Sequence, residues 1–235
     1  MRIGGVPASV RSLPERVRRG ARAACEGAAL PGSEVRTLRD LGVVAIAGLV
    51  LGILTSIGAG HVPASVSSVA NSSGSWCLVA FGLALMTRRP GVGAILGFVA
   101  LLSLLLGYAL ATILRGFDVG TALLGFWGAA AVVVGPLLGP GAVWTRQRRP
   151  YRSALGVGLL AGILTGEGIY GLTVVADTTS PVYWSGELVV GVALVVVLCW
   201  RRLRRPRPIL ACVATTAVVG GMFVLVYAAD LLGKL

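Results

Sequence analysis

Residues 159–172 read "LLAGILTGEGIYGL". Apart from Thr165 and Glu167, every residue of this stretch is apolar, Gly or Tyr. The stretch belongs to an apolar run over about 153–176. At about 1.5 Å per residue, a helix of that length crosses the ~30 Å hydrocarbon core of a bilayer. A charged side chain inside such a helix costs about 2.5–3.5 kcal/mol on insertion scales. The run therefore predicts a transmembrane helix in which Glu167 faces a cavity or another part of the protein and not lipid.

The composition extends this prediction to most of the chain. Of the 235 residues, 56% are hydrophobic and 13% are charged, with a mean hydropathy of +0.87, whereas soluble domains carry about 25% charged residues. Six further apolar runs lie at about 41–60, 73–87, 91–113, 119–143, 186–200 and 208–230. We therefore predict an all-α polytopic membrane protein, with seven transmembrane helices over residues 41–232.

The basic residues lie between these runs and predict the orientation. Of the 21 Lys and Arg residues, all but Arg115 and Lys234 lie before residue 40 or in clusters at 88–89, 146–152 and 201–207. Cytoplasmic segments of membrane proteins are enriched in Lys and Arg. We therefore predict a multi-pass protein of a bacterial plasma membrane, with a cytoplasmic N-terminus and an extracytoplasmic C-terminus. The Arg clusters are expected to contact anionic lipids, and no nucleic-acid partner is expected despite the net charge of +12.

Residues 1–40 differ from the rest of the chain because they are rich in Arg, Gly, Ala and Pro. One interpretation is a disordered cytoplasmic tail. The other is a short basic helix over 8–25, lying on the inner leaflet and interrupted by Pro14.

An internal repeat is suggested by "GLVLGILTSIG" at 48–58, which matches 158–168 without gaps at seven of eleven positions. Ile57 stands where the second copy has Glu167. The alignment predicts a first repeat at about 41–113, a connector helix at 119–143 and a second repeat at about 153–230. Corresponding helices would point the same way, so the repeat is parallel. In topology alone, this three-plus-one-plus-three plan is similar to that of SWEET-type transporters.

Small residues recur at every fourth position in both copies. They are Gly48, Gly52 and Ser56 in the first helix, and Gly158, Gly162 and Gly166 in the fifth. Such stripes let helix backbones approach closely, and van der Waals contact then drives association within lipid. We expect these two helices to be central and to face each other.

Glu167 has two interpretations. It is either a carboxylate that couples a proton or ion or binds a cationic group, or one that hydrogen-bonds a neighbouring helix for structural reasons. The first predicts a cavity in the outer half, lined by Glu167, Tyr170, Asn71 and Trp127. The other interpretation of Asn71 is the capping of the following helix, and that of Trp127 is core packing.

Arg115 lies outside the basic clusters, at the end of the third run. Its neighbour Asp118 is the local partner that the sequence offers, and Glu167 is the alternative.

Catalytic and metal-binding patterns are not found. The chain has one His, and its four Cys residues lack the spacing of metal ligands. We therefore predict that it is not an enzyme and has no cofactor, metal site or catalytic residue. Two functions remain: a small transporter or permease-like protein for a small molecule or ion, or a non-transporting membrane scaffold or accessory subunit.

Five short motifs carry a resemblance to a known group of proteins. They are "ANSSGSW" at 70–76, "LRGFDVG" at 114–120, "FWG" at 126–128, "VGPLLG" at 134–139 and "GEG" at 166–168. With them, the chain resembles an uncharacterised family of small bacterial multi-pass membrane proteins, a domain of unknown function, over about residues 40–232. The resemblance implies the membrane fold and supplies no activity or functional residues.

Overall fold

A computed structural model describes the backbone of residues 31–228 and the side chains of residues 34–228. The chain divides into two units, Met1–Arg39 and Asp40–Leu235, and the packing below concerns the second. Up to residue 30, the predicted Arg-rich segment lies outside the described residues. Residues 31–40 belong to the first helix, which begins at Pro31.

The described residues form eight α-helices and no β-strand, which confirms the all-α prediction. They are α1 (Pro31–Gly58), α2 (Ser73–Ala84), α3 (Pro90–Leu114), α4 (Thr121–Val133), α5 (Gly135–Thr145), α6 (Pro150–Thr173), α7 (Pro181–Arg201) and α8 (Pro206–Ala228). A short 3-10 helix, Ser67–Asn71, precedes α2. Proline opens α3, α6 and α7, because a proline there lacks only an N–H that has no partner within the helix.

The prediction of seven transmembrane helices is not confirmed. Five described helices, α1, α3, α6, α7 and α8, are long and apolar enough to cross a membrane, and they indicate a multi-pass membrane protein. A sixth span results if α4 and α5, which are bent by 42° relative to each other, are counted together. Helix α2 has 12 residues, so it is only about 18 Å long and too short to cross the bilayer.

The predicted connector helix at 119–143 is two helices, with the break at Val134. Pro136 lies directly after the break. Its ring collides with the carbonyl group four residues earlier, and it has no N–H for the helical hydrogen bond. The proline therefore explains why one apolar run gives a bent pair.

The small-residue stripes lie at close contacts between helices, but the helices in contact are not the predicted ones. Gly48 of α1 lies against α3, where an added methyl would be 2.7 Å from Ser103 Cβ. Gly162 of α6 lies against α8, where an added methyl would be 2.6 Å from Val219 Cβ. The expectation that α1 and α6 face each other through these stripes is therefore wrong. The stripes instead join α1 to α3 and α6 to α8.

Helix α6 is the central helix of the bundle. Within its most apolar window 67% of the residues are buried, against 11% for α8. Every residue from Leu160 to Gly168 is buried, and α2, α5, α7 and α8 all pack against α6. The apolar stretch around Glu167 therefore lies in the protein interior and not against lipid.

Candidate functional site

The site lies where the short helix α2 begins. The first N–H groups of any helix have no partner within the helix, and at α2 they are buried. Ser72 caps the helix, with its Oγ accepting the N–H of Ser75 at 3.2 Å. The N–H of Ser73 donates to Glu167 Oε1 at 2.8 Å, and the N–H of Gly74 donates to Glu167 Oε2.

Glu167 itself is held by three donors, the third being the Ser72 hydroxyl, which lies 3.0 Å from Oε2. The residue is 4% exposed. A helix N-terminus carries a partial positive charge and favours an anion beside it. The carboxylate of α6 thus takes the place that water would have at the start of an exposed helix, which explains why a polar side chain interrupts the apolar run.

A second carboxyl group, from Glu187 of α7, meets the first. Glu187 is 6% exposed, and its Oε1 lies 3.3 Å from Ser72 Oγ. The carboxyl groups of Glu167 and Glu187, called the carboxyl pair below, approach the same hydroxyl group, since Ser72 Oγ lies 3.0 Å from Glu167 Oε2 and 3.3 Å from Glu187 Oε1. One hydroxyl hydrogen serves only one acceptor at a time. Two adjacent carboxylates repel each other unless they share a proton, so the geometry favours a pair with one proton and a net charge of −1.

Among the residues with described side chains, none provides a basic partner for the carboxyl pair. Neither carboxyl forms an ion pair with Lys, Arg or His within residues 34–228, the range with described side chains. The other ionisable groups that face it are Cys77 of α2, Tyr183 of α7 and Tyr227 of α8. All three are neutral in their usual protonated state, so a shared proton is the way in which the pair lowers its charge.

Four aromatic side chains form a cluster that is linked to the carboxyl pair through Tyr227 and Ser73. Tyr227 hydrogen-bonds Ser73 through the two hydroxyl groups, and its ring stacks on Phe223 with centroids 4.3 Å apart. It also makes edge contacts with Phe126 at 5.5 Å and Tyr170 at 5.4 Å. These four half-buried residues, called the aromatic cluster below, come from α4, α6 and α8.

Three of the predicted site residues lie in or beside this arrangement. Glu167 is in the carboxyl pair, and Tyr170 is in the aromatic cluster. Trp127 touches the cluster through Phe126, but it is buried and its ring lies 4.5 Å from that of Trp76. Core packing, the second interpretation of Trp127, is therefore the role that its contacts describe.

The other two predicted residues lie elsewhere. Asn71 is exposed at the end of the 3-10 helix, and the cap of α2 is Ser72. Arg115 donates to the carbonyl oxygen of Ser56 in α1 and lies 5.2 Å from the centre of the Phe117 ring. No ion pair from Arg115 to Asp118 or Glu167 is formed in the described part of the chain. Both expected pairings are wrong, because the guanidinium group reaches the end of α1 instead.

Two cavities lined by described residues lie away from Glu167, around which a cavity was predicted. One, of about 260 Å³, lies between α1 and α2 and is lined largely by apolar side chains, including Leu54 and Trp76. The other, of about 510 Å³, lies among loops and is lined by residues such as Ser67 and Asp177. Glu167 lines neither. In this conformation, it is enclosed by its hydrogen-bond donors.

Glu187 is one of several site residues that were not predicted from the sequence. The apolar run was assigned to begin at residue 186, which placed Glu187 at the membrane surface. Helix α7 in fact begins at Pro181, with Ser180 Oγ accepting the N–H of Val182 at 3.3 Å. A Ser-Pro pair is a strong start signal for a helix. That signal at 180–181 predicts Glu187 almost two turns inside the helix.

The comparisons with known proteins give a family without an activity. A family model described as "Family of unknown function (DUF6518)" matches residues 31–232. No curated protein and no solved structure matches the chain. The match confirms the resemblance to an uncharacterised family. Within the described residues, no group of three or more His, Cys, Asp and Glu is arranged to hold a metal ion.

Proposed function

This chain belongs to the DUF6518 family of unknown function, and from its geometry we propose that it is a proton-coupled membrane permease whose coupling site is the carboxyl pair. One observation carries this proposal. Two carboxyl groups from different helices, 4% and 6% exposed, converge on the same hydroxyl donor and form no ion pair with a basic side chain in the described chain. A pair in this setting is suited to gain and lose one proton.

The short helix α2 supports the same proposal. Many secondary transporters contain discontinuous helices whose N-termini point at charged groups near the middle of the membrane. Helix α2 is apolar and too short to span, and its N-terminus is buried against Glu167. Loss of the shared proton would place two carboxylates side by side at this point. Their repulsion would push α7 away from α6 and α2, which is the movement that we propose opens the site.

The proposal also includes the orientation of the protein in the membrane and the internal sequence repeat. Enrichment of Arg in four segments supports a cytoplasmic N-terminus and an extracytoplasmic C-terminus in a bacterial plasma membrane. The packing of α1 on α3 is matched by that of α6 on α8, with Gly52 and Gly162 at equivalent positions of the alignment. This correspondence supports a parallel repeat in which α4 and α5 together form the connector.

A second candidate is a non-transporting scaffold or accessory subunit. The observation in its favour is that Glu167 already has three hydrogen-bond donors, so its presence needs no transport function. This candidate does not explain Glu187, whose Oε2 is buried without a hydrogen-bond partner among the described residues.

Proteoliposomes with a trapped pH-sensitive dye distinguish the two candidates. The full-length protein is presented with organic cations, amino acids, sugars and organic anions in turn. The permease predicts that one of these classes changes the internal pH and that Glu187→Gln abolishes the change. Asp118→Asn, the matched change at an exposed carboxyl, should behave as the wild type does. Absence of a pH change with every class, or an equal change in Glu187→Gln, contradicts the permease.

A further inference from the structure

Glu187 has an unused acceptor that points to a ligand. Its side chain is 6% exposed, and Oε2 lies buried with no hydrogen-bond partner among the described residues. Buried polar groups are nearly always paired. The partner of a buried carboxyl oxygen that also lies beside a second carboxyl group is a proton or a cation.

The aromatic cluster narrows the kind of cation. The Tyr227 hydroxyl forms a hydrogen bond with the Ser73 hydroxyl, and the Ser73 N–H donates to Glu167. Ser73 therefore connects the aromatic cluster to the carboxyl pair. The faces of aromatic rings attract cations, and organic ammonium groups are often bound by several rings together. Stacked rings such as Phe223 and Tyr227 also offer flat apolar surface to a hydrocarbon substituent.

Other ligand classes fit these groups less well. An inorganic cation such as Ca²⁺ takes six to eight oxygen ligands, whereas three of the four oxygens of the carboxyl pair already face hydrogen-bond donors. An anion would be repelled by two carboxyl groups, and the N–H groups of Ser73 and Gly74 are already bonded to Glu167. We infer that the carboxyl pair and the aromatic cluster bind a lipophilic organic monocation, which exchanges for the shared proton. This inference rests on the proposed function.

The ligand has a route to the rings from the side of the bundle. The four cluster residues are half-buried, and two of them, Phe223 and Tyr227, come from α8, where only 11% of the apolar window is buried. Phe126 of α4 meets Tyr227 of α8 with the ring centroids 5.5 Å apart. The proposed route for a lipophilic cation dissolved in the bilayer therefore runs between α4 and α8.

Charge balances in the exchange. Before binding, two carboxyl groups hold one proton and the pair has a net charge of −1. The cation enters beside Glu187, and the proton leaves to solution. Two carboxylates and one monocation again sum to −1. One cation is therefore exchanged for one proton, without net charge being buried or removed.

The test uses tetraphenylphosphonium and the purified full-length protein in lipid nanodiscs. Isothermal titration in buffers of different ionisation enthalpy gives both the affinity and the number of protons released. We expect saturable binding, with about one proton released per cation at neutral pH. Glu187→Gln should abolish proton release and weaken binding about tenfold or more, because a charge-assisted contact is lost.

Matched variants test the two halves of the site. Phe126→Leu should weaken binding severalfold while leaving the proton count unchanged, since it removes a ring but no carboxyl group. Asp118→Asn should bind as the wild type does. Unsaturable binding, binding without proton release, or full affinity in a folded Glu187→Gln protein would overturn the inference.

A second measurement needs no substitution. Dicyclohexylcarbodiimide modifies protonated carboxyl groups in apolar surroundings, and mass spectrometry identifies the modified residue. We expect modification at Glu167 or Glu187 and a slower reaction when tetraphenylphosphonium is present. An unchanged rate overturns the inference. If proton-coupled flux of another substrate class persists while tetraphenylphosphonium fails to bind, this inference is wrong and the proposed function stands. If no class gives such flux, both are wrong.

Discussion

The backbone N–H of Ser73 donates to Glu167 Oε1 at 2.8 Å, although the two residues are 94 positions apart in the sequence. This hydrogen bond joins the start of a short helix to the second half of the most buried span. It explains how α2 can begin inside the bundle without leaving its first N–H groups unpaired. It also places Glu167 beside Glu187 and so creates the carboxyl pair.

Replacing Glu167 should destabilise the protein in proportion to the acceptors lost. Glu167→Leu leaves the N–H groups of Ser73 and Gly74 buried without a partner, and each such group costs about 1–3 kcal/mol. Glu167→Gln keeps one acceptor oxygen and should lose roughly half as much. Thermal unfolding in detergent, followed by tryptophan fluorescence, checks the order. A Glu167→Leu protein as stable as the wild type would show that these hydrogen bonds are unimportant.

Two glycines of α2 offer a matched comparison. At Gly74, an added methyl would overlap Glu187 Oε1 and lie 2.9 Å from Glu167 Oε2. At Gly82, it would meet no described atom within 4 Å. We expect Gly74→Ala to lower the unfolding temperature and disrupt the carboxyl pair. Gly82→Ala should be neutral or stabilise the protein by up to about 1 kcal/mol, because alanine favours helix. Equal effects of the two substitutions would argue against the contact.

The contact between α6 and α8 offers a second matched comparison of two glycines. At Gly162, an added methyl would lie 2.6 Å from Val219 Cβ and 2.9 Å from the Thr216 carbonyl oxygen. We expect Gly162→Ala to force the helices apart and cost about 1–3 kcal/mol, as overpacking does in other cores. Gly221→Ala, at an open position on α8, serves as the control. Cross-linking of cysteines introduced into α6 and α8 would report the separation, and an unchanged yield in Gly162→Ala contradicts the prediction.

Stability should depend on pH through the shared proton. The proposed shared proton holds the carboxyl groups of Glu167 and Glu187 together, and its removal would leave two carboxylates side by side. The stabilisation is therefore present at low pH and is lost as the pH rises. In Glu187→Gln, the amide donates its own N–H to Glu167 and no proton is needed. Between about pH 6 and about pH 9, the wild-type unfolding temperature should fall more than that of the variant. Parallel curves would count against a shared proton.

The long helices were predictable from the sequence because each is set by a continuous apolar run bounded by Arg or Pro. The run at about 153–176 became α6, Pro150–Thr173, and the run at 91–113 became α3, Pro90–Leu114. Hydropathy measures whether a segment prefers lipid or protein interior to water, and it does not measure whether the segment crosses the bilayer. For that reason, the run at 73–87 was counted as a span, although α2 is a short internal helix.

The carboxyl pair was predictable only in part. Glu167 was evident because it interrupts an apolar run and because the repeat has Ile57 at the same place. Glu187 was hidden by a helix boundary placed five residues too late. The partners of Arg115 depend on how α1 and α3 pack, which sequence spacing does not give. Ser56, which Arg115 contacts, was assigned to packing alone.

Infrared difference spectroscopy of the full-length protein in nanodiscs tests the central claim, a proton shared by Glu167 and Glu187, most directly. The C=O stretch of a protonated carboxyl group is separate from the bands of carboxylates and shifts in D₂O. We predict such a band at neutral pH in the wild type and in Asp118→Asn, and its loss in Glu187→Gln and at high pH. Absence of the band in the wild type, or an unchanged band in Glu187→Gln, would contradict the shared proton.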